Sequence, residues 1–202
     1  MNKIPFRSKW VFKPEFNKVF KKVKSECFGR TLDVGCGFGE LTYSLPNCFG
    51  IDIKDGNNAW SFKPELFKKV EETNWNLNEK FDCVVLNCML EYVENYDLLF
   101  KELRKASKRS TVLVINVPTP SWKLKRLLNL PLYFLGWLRG HGFKNDLWIC
   151  KKVEGNNFFK ELLSWSDWTG FLQRHGLKIL KVEKLPLSYA LFKCKWEREV
   201  ME

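Results

Sequence analysis

The sequence predicts an α/β protein: a doubly wound, mostly parallel sheet with helices on both faces and an apolar insert after the fifth strand. Three observations predict it. Short apolar runs alternate with amphipathic stretches over most of the chain, the pattern of strands joined by crossover helices. The run Phe81 to Asn87 (FDCVVLN) is almost continuously apolar, as a central parallel strand covered on both faces requires. Gly35, Gly37 and Gly39 join the first apolar run to the segment behind it, so the backbone there can pass close to a ligand with no Cβ in the way.

Taken in order, Pro14 to Phe28 has apolar residues at Phe16, Val19, Phe20 and Val23. That is a helical spacing, and Gly29 is its stop signal. Residues 1–29 thus form an N-terminal helical segment. Thr31 to Gly35 is a strand entering the glycines, Glu40 to Leu45 a helix closed by Pro46, and Cys48 to Ile53 a second buried strand. Beyond the turn cluster Asp55 to Asn58, Pro64 to Lys69 reads as one or two helical turns and Lys69 to Thr73 as the third strand. After the fourth strand, Phe81 to Asn87, comes an amphipathic helix, Tyr96 to Ser107, with Leu98, Leu99 and Leu103 among basic residues. Ser110 to Val117 (STVLVINV) is the fifth strand. The alternation breaks at Pro118, and residues 118–150 form the insert. A helix resumes at Ser166 to His175, with Ser166 as its N-cap and Gly176 as its stop. Leu177 to Glu183 and Tyr189 to Trp196 alternate apolar with polar residues, as two closing strands do.

At 202 residues, with 45% hydrophobic and 28% charged residues, the whole chain, 1–202, is expected to be one folded domain. Seven cysteines without a CxxC pair point to reduced, buried thiols in a cytoplasmic protein, not to a disulfide framework or a metal site. The N-terminus lacks the apolar core of a secretory signal, and no apolar run approaches the ~18 residues of a membrane span. The net charge of +11 suits an anionic partner, either RNA, an acidic membrane surface or a phosphorylated substrate, and equally suits a solvated lysine-rich face.

The glycine turn narrows the ligand. A dinucleotide fingerprint reads GxGxxG, whereas here the third glycine comes one residue early; the GKS or GKT ending of a phosphate-cradling loop is absent too. Asp33 beside the loop repels a pyrophosphate but suits a cationic ligand. Asp52, 17 residues beyond Gly35 in GIDI, lies near the ~20-residue spacing at which an acid accepts hydrogen bonds from ribose hydroxyls. A ribose joined to an amino group and a sulfonium fits both acids: S-adenosylmethionine.

With LDVGCGFGELT at 32–42, GIDI at 50–53 and FDCVVLNCMLEYVEN at 81–95, the chain resembles the class I, seven-stranded, Rossmann-like S-adenosylmethionine-dependent methyltransferases. The resemblance implies a sheet of seven strands. It also implies that Asp33 and the loop of Gly35, Cys36, Gly37 and Gly39 hold the methionine end. Asp52 and Ile53 would then hold the ribose and one adenine face. The acid that the family places near the adenine amino group is missing from NWNLNEKFD, so Asn74 or Asn76 stands in and Trp75 is either an adenine platform or a core residue. The resemblance also implies that Asn87 and Cys88, leaving the fourth strand, line the pocket near the methyl group.

For the acceptor, Tyr92 stands where many small-molecule members carry a histidine, and either bonds substrate or caps the pocket. His141 in the insert is the candidate base, whereas His175 at a helix end suits local structure. The insert joins a Leu-, Phe- and Trp-rich stretch to basic flanks at Lys123, Lys125, Arg126 and Arg139. A lid of that kind suits a small-molecule or lipid-like acceptor, with the flanks on a phosphate or an anionic membrane surface at which the protein is peripheral; extra core is the other reading. The expected activity is methyl transfer to such an acceptor. The alternatives are an RNA methyltransferase and a non-catalytic S-adenosylmethionine-binding or scaffold protein.

Overall fold

The computed structural model describes residues 13–54, 57–119, 143–144, 147–148, 165–186 and 189–197. Lys13–Glu26 (α1) leads to Thr31–Val34 (β1), Glu40–Ser44 (α2) and Cys48–Asp52 (β2). Two 3-10 turns, Asn57–Phe62 and Pro64–Leu66, precede Phe67–Lys69 (β3). Then come Phe81–Asn87 (β4), a 3-10 turn at Leu90–Tyr92, Tyr96–Ala106 (α3) and Ser107–Pro118 (β5). Phe143–Lys144 (β6) and Leu147–Trp148 (β7) pair with each other, and Trp165–Arg174 (α4), Leu177–Leu185 (β8) and Tyr189–Trp196 (β9) follow.

The main sheet has seven strands in the order β3-β2-β1-β4-β5-β9-β8. β1 runs parallel to β2 and β4, and β4 parallel to β5, whereas β9 is antiparallel to both β5 and β8. The chain therefore winds outward from β1 to β3, returns to β4 and winds the other way. Ligands in such sheets bind where the winding reverses, beyond the carboxyl ends of the two central strands. Here that point lies between β1 and β4.

Both faces of the sheet are covered. Val23 of α1 and Leu41 of α2 pack with Cys83, Val85, Val112 and Val114 on one face. Leu99, Phe100 and Leu103 of α3, with Trp168, Phe171 and Leu172 of α4, pack with Leu32, Val34, Val84 and Leu86 on the other. Because side chains alternate along a strand, β1 sends Leu32 and Val34 to the α3 face and Asp33 to the α2 face. Asn95 caps α3, its side chain accepting the Leu98 N–H at 3.1 Å. Burying both faces of β1 and β4 removes several large apolar side chains from water at roughly 1.5–3 kcal/mol each, which fixes the strand ends that carry the site.

Several expected boundaries move. The third strand is Phe67–Lys69, not Lys69 to Thr73: the Phe67 ring stacks on Trp60 at 5.1 Å and meets Tyr43 edge-on at 5.0 Å, a long-range packing that no local periodicity reports. The fifth strand begins at Ser107, because Ser107 pairs with Phe81 ahead of an irregularity in the ladder. Helix α4 starts at Trp165, which places Ser166 inside the helix and not at its cap. The six described cysteines are free thiols, and no described helix is long and apolar enough to cross a membrane. Most of the insert at 118–150, His141 included, lies outside the described residues.

Candidate active site and cofactor cavity

A cavity of about 280 Å³ opens at the carboxyl ends of β1, β2 and β4. Its inner wall is apolar: Val34, Ile51, Val70, Trp75 and Leu99 all come from the α3 face of the sheet. Gly35 makes the pocket possible. Its φ is +69°, and a Cβ built on it would fall 2.9 Å from the Cβ of Met89, so the β1 turn and the turn after β4 pass each other where no side chain fits.

Asp52 ends β2 at the lip of this cavity. Its Oδ2 accepts the Gly37 N–H at 2.8 Å and its Oδ1 accepts the Lys54 N–H at 2.9 Å. The glycine turn is in turn tied to β2, since the Gly35 and Cys36 N–H groups both donate to the Ile51 carbonyl, at 2.8 and 3.1 Å. Each carboxylate oxygen keeps lone pairs for further donors. The carboxylate is thus oriented before any ligand arrives. Ile53 beside it is 47% exposed and offers an apolar face. Trp75 on the inner wall is anchored by its backbone N–H, which donates to Glu102 Oε2 at 3.1 Å.

At the far end, Cys88 leaves β4 with φ of +54° and lines the cavity together with Met89 and Tyr92. Asn116 Nδ2 donates to Asn87 Oδ1 at 2.8 Å and to Cys88 Sγ at 3.2 Å. Burial pushes the Cys88 thiol up, out of the range in which it ionises at neutral pH, and pushes the Tyr92 phenol up to about 12. Both stay protonated and neutral.

The structure therefore gathers Gly35, Asp52, Ile53, Trp75, Cys88 and Tyr92 around one cavity and leaves other expected residues off its wall. Asp33 points to the opposite face. It is 2% exposed and accepts a hydrogen bond from Thr42 Oγ1 at 2.8 Å, and desolvation raises its carboxyl to about 7. It is not among the residues that line the cavity. Cys36 packs toward the Trp60 and Phe67 cluster, Gly39 abuts Phe67, and Gly37 serves through its N–H on Asp52. Asn76 is held by the Asn74 side chain, its N–H donating to Asn74 Oδ1 at 3.0 Å, and both are exposed and outside the lining. Asn87 positions Asn116 from just behind the wall. His175 packs its ring on Phe100 and Phe171, at 4.3 and 4.4 Å, a structural place.

Glu72, Met89, Val93, Asn95 and Leu99 line the cavity without having been singled out in the sequence. Glu72 puts on the cavity wall an acid that the reading of NWNLNEKFD does not supply. A third strand at Lys69 to Thr73 would enclose it within an element. With β3 ending at Lys69, the Glu71-Glu72 pair falls in the loop beside the cavity, and that acidic pair is the signal the sequence carries.

An oriented acid at the end of β2, a glycine turn at the end of β1, an apolar slot and an acid on its wall fit S-adenosylmethionine. Fold and site define a Rossmann-like methyltransferase. Residues 12–182 match the family model of the methyltransferase domain, and the chain belongs to that family.

No curated protein matches the chain. Solved structures with the same fold include an S-adenosylmethionine-dependent methyltransferase from Clostridium acetobutylicum ATCC 824, 17% identical, with 94% of each chain covered and a TM-score of 0.56. Another is the 1,6-didemethyltoxoflavin-N1-methyltransferase of Burkholderia thailandensis with bound 1,6-didemethyltoxoflavin and S-adenosylhomocysteine. It is 11% identical over 94% of this chain and 81% of that one, with a TM-score of 0.65. A third is the N-methyltransferase NodS of Bradyrhizobium japonicum WM9 in complex with S-adenosylhomocysteine, 15% identical over 98% and 94%, with a TM-score of 0.61.

Proposed function

We propose that this enzyme transfers the methyl group of S-adenosylmethionine to a small-molecule or lipid-like acceptor. The observation that carries the reading is the cavity between β1 and β4, with Asp52 oriented at its lip by Gly37 and Lys54. Bound S-adenosylmethionine supplies an electrophilic methyl group on a sulfonium. The protein has to hold that group in line with the acceptor and keep water away, tasks of positioning more than of acid-base chemistry. Asp52 takes the ribose hydroxyls, Glu72 the outer edge, and Ile53 and the Trp75 wall the adenine faces. Cys88, Met89 and Tyr92 provide an uncharged stretch of wall for the reacting atoms.

A small acceptor is supported by two features. The cavity is small, about 280 Å³, with a largely apolar inner wall, and the Burkholderia thailandensis enzyme of the same fold holds 1,6-didemethyltoxoflavin, a small molecule. The charge of +11 favours RNA as the second reading, but α1, β8 and β9 spend part of their basic charge internally. Lys22 bridges Glu26 and Glu183 at 2.9 and 3.1 Å, Lys181 meets Glu183 at 3.1 Å, and Lys193 meets Glu26 at 3.1 Å. Incubation with methyl-labelled S-adenosylmethionine and fractionated cell extract tests the choice: label in the small-molecule or lipid fraction supports the proposal, and label confined to RNA contradicts it.

A further inference from the structure

Gly37 is the residue of the glycine turn that packing leaves alone. It is exposed, and a Cβ built on it would meet nothing within 4 Å, yet the backbone there is set at a φ of +55°. Glycine takes positive and negative φ about equally well and loses more conformational freedom on folding than any other residue. Something other than packing has to hold this one in a single conformation.

Hydrogen bonds on both sides of its Cα do so. On one side the Gly37 N–H donates to Asp52 Oδ2 at 2.8 Å. On the other, the indole N–H of Trp60 donates to the Gly37 carbonyl at 2.9 Å. Because each peptide unit is planar, the first bond orients the unit between Cys36 and Gly37 and the second the unit between Gly37 and Phe38. The Gly39 N–H, donating to the Cys36 carbonyl at 2.9 Å, closes the turn. Closed turns of four residues exist in forms that differ by a flip of the central peptide, and here that peptide is the one Trp60 holds.

The donor is itself anchored. Trp60 is 8% exposed, and its ring stacks within 9° of parallel on Phe67, which pairs with Gly50 of β2. An indole N–H only donates, so it keeps a carbonyl turned toward it and opposes the flipped peptide, which would present an N–H. Trp60 thus ties the edge of the sheet to the turn, and the turn ties to Asp52. Neither Trp60 nor Gly37 lines the cavity.

We propose that Trp60 is a positioning residue for the methyl donor: its N–H fixes the turn at Gly37, and the turn fixes the Asp52 carboxylate that meets the ligand. The inference rests on the reading of the cavity as the methyl-donor site. The Lys54 N–H holds the other carboxylate oxygen independently, at 2.9 Å. Losing the Trp60 donor therefore loosens one oxygen of two and weakens binding less than removing the carboxylate does.

A double-mutant cycle tests this, with S-adenosylhomocysteine titrated in a calorimeter into the unaltered protein, W60F, D52A and the variant carrying both. W60F keeps a ring to stack on Phe67 and loses the N–H. It is expected to bind about three- to tenfold more weakly than the unaltered protein, the range of a single neutral hydrogen bond. In the D52A background the same change is expected to cost less than about twofold, because the group that Trp60 positions is gone and residues acting through one another are not additive. A loss below about threefold in W60F, or an equal loss in both backgrounds, overturns the inference, since a tryptophan that only supports the fold lowers both by the same factor. Should W60F fold poorly, 3-benzothienylalanine at position 60, a ring of the same shape with sulfur in place of the N–H, takes its place in the cycle. Absence of S-adenosylhomocysteine binding by the unaltered protein strikes the donor-site reading instead, so the two failures are distinct.

Discussion

The Gly37 N–H donates to Asp52 Oδ2 at 2.8 Å, joining the glycine turn after β1 to the acid that ends β2. The carboxylate that is to meet the ribose is held by the same loop that has to admit the ligand. Charge-assisted hydrogen bonds of this kind contribute about 1.5–3 kcal/mol each. Replacing Asp52 with Ala is therefore expected to weaken S-adenosylhomocysteine binding roughly 10- to 100-fold, with an unchanged circular dichroism spectrum. Unchanged affinity in the calorimeter would place the ribose elsewhere.

The glycines of the turn are unequal. A Cβ on Gly39 would lie 2.4 Å from Cζ of Phe67, at a φ of +82°, whereas one on Gly37 would meet open space at a φ of +55°. Gly37→Ala should cost only the left-handed backbone penalty, about 1–2 kcal/mol. Gly39→Ala adds a clash with a ring that is packed between Tyr43 and Trp60, so its urea midpoint should fall further than that of Gly37→Ala. Equal midpoints would contradict the packing of β3 against the turn.

Asp33 gives stability a pH dependence. Its carboxyl is raised from 3.8 to about 7 by burial, so the folded protein binds the proton more tightly than the unfolded chain. Its contribution is complete below the unfolded value and is lost as pH rises through the folded one. Every tenfold difference in proton affinity between the folded and unfolded chain corresponds to about 1.4 kcal/mol. Asp33→Asn should flatten the fall in unfolding free energy between pH 4 and pH 7 and stabilise the protein at pH 8, while leaving S-adenosylhomocysteine affinity within about twofold. A large loss of affinity would mean that Asp33 touches the ligand after all.

Trp75 separates wall from scaffold. It is 4% exposed and lines the cavity. Trp75→Ala is expected to cost about 3–5 kcal/mol in chemical denaturation. Trp75→Phe should keep most of that stability yet bind adenosine-containing ligands more weakly. If Trp75→Phe bound them as tightly as the unaltered protein, Trp75 would be core alone.

The sheet is legible in the sequence because its central strands are buried on both faces, and burial on both faces writes itself as unbroken apolar runs such as Phe81 to Asn87. Gly35 and Asp52 are legible because a turn that excludes Cβ atoms and an acid at a strand end are local requirements. What stays hidden depends on long-range contact. Phe67 becomes a strand residue by stacking on Trp60, and that shift moves Glu72 from a strand into the cavity wall. Asp33 lies off the cavity wall for a different reason: strand pleating sends it to the α2 face, opposite Val34, although both end the same strand. Glu91 can be read as an acid in sequence, but only the fold shows it buried and unpaired.

Titration of the purified protein with S-adenosylmethionine and S-adenosylhomocysteine in a calorimeter tests the donor cavity most directly. Both should bind at micromolar strength with one site per chain, and the Asp52→Ala variant should bind both more weakly. No binding of either would contradict the assignment and leave the turn from Gly35 to Gly39 a structural junction between β1 and α2.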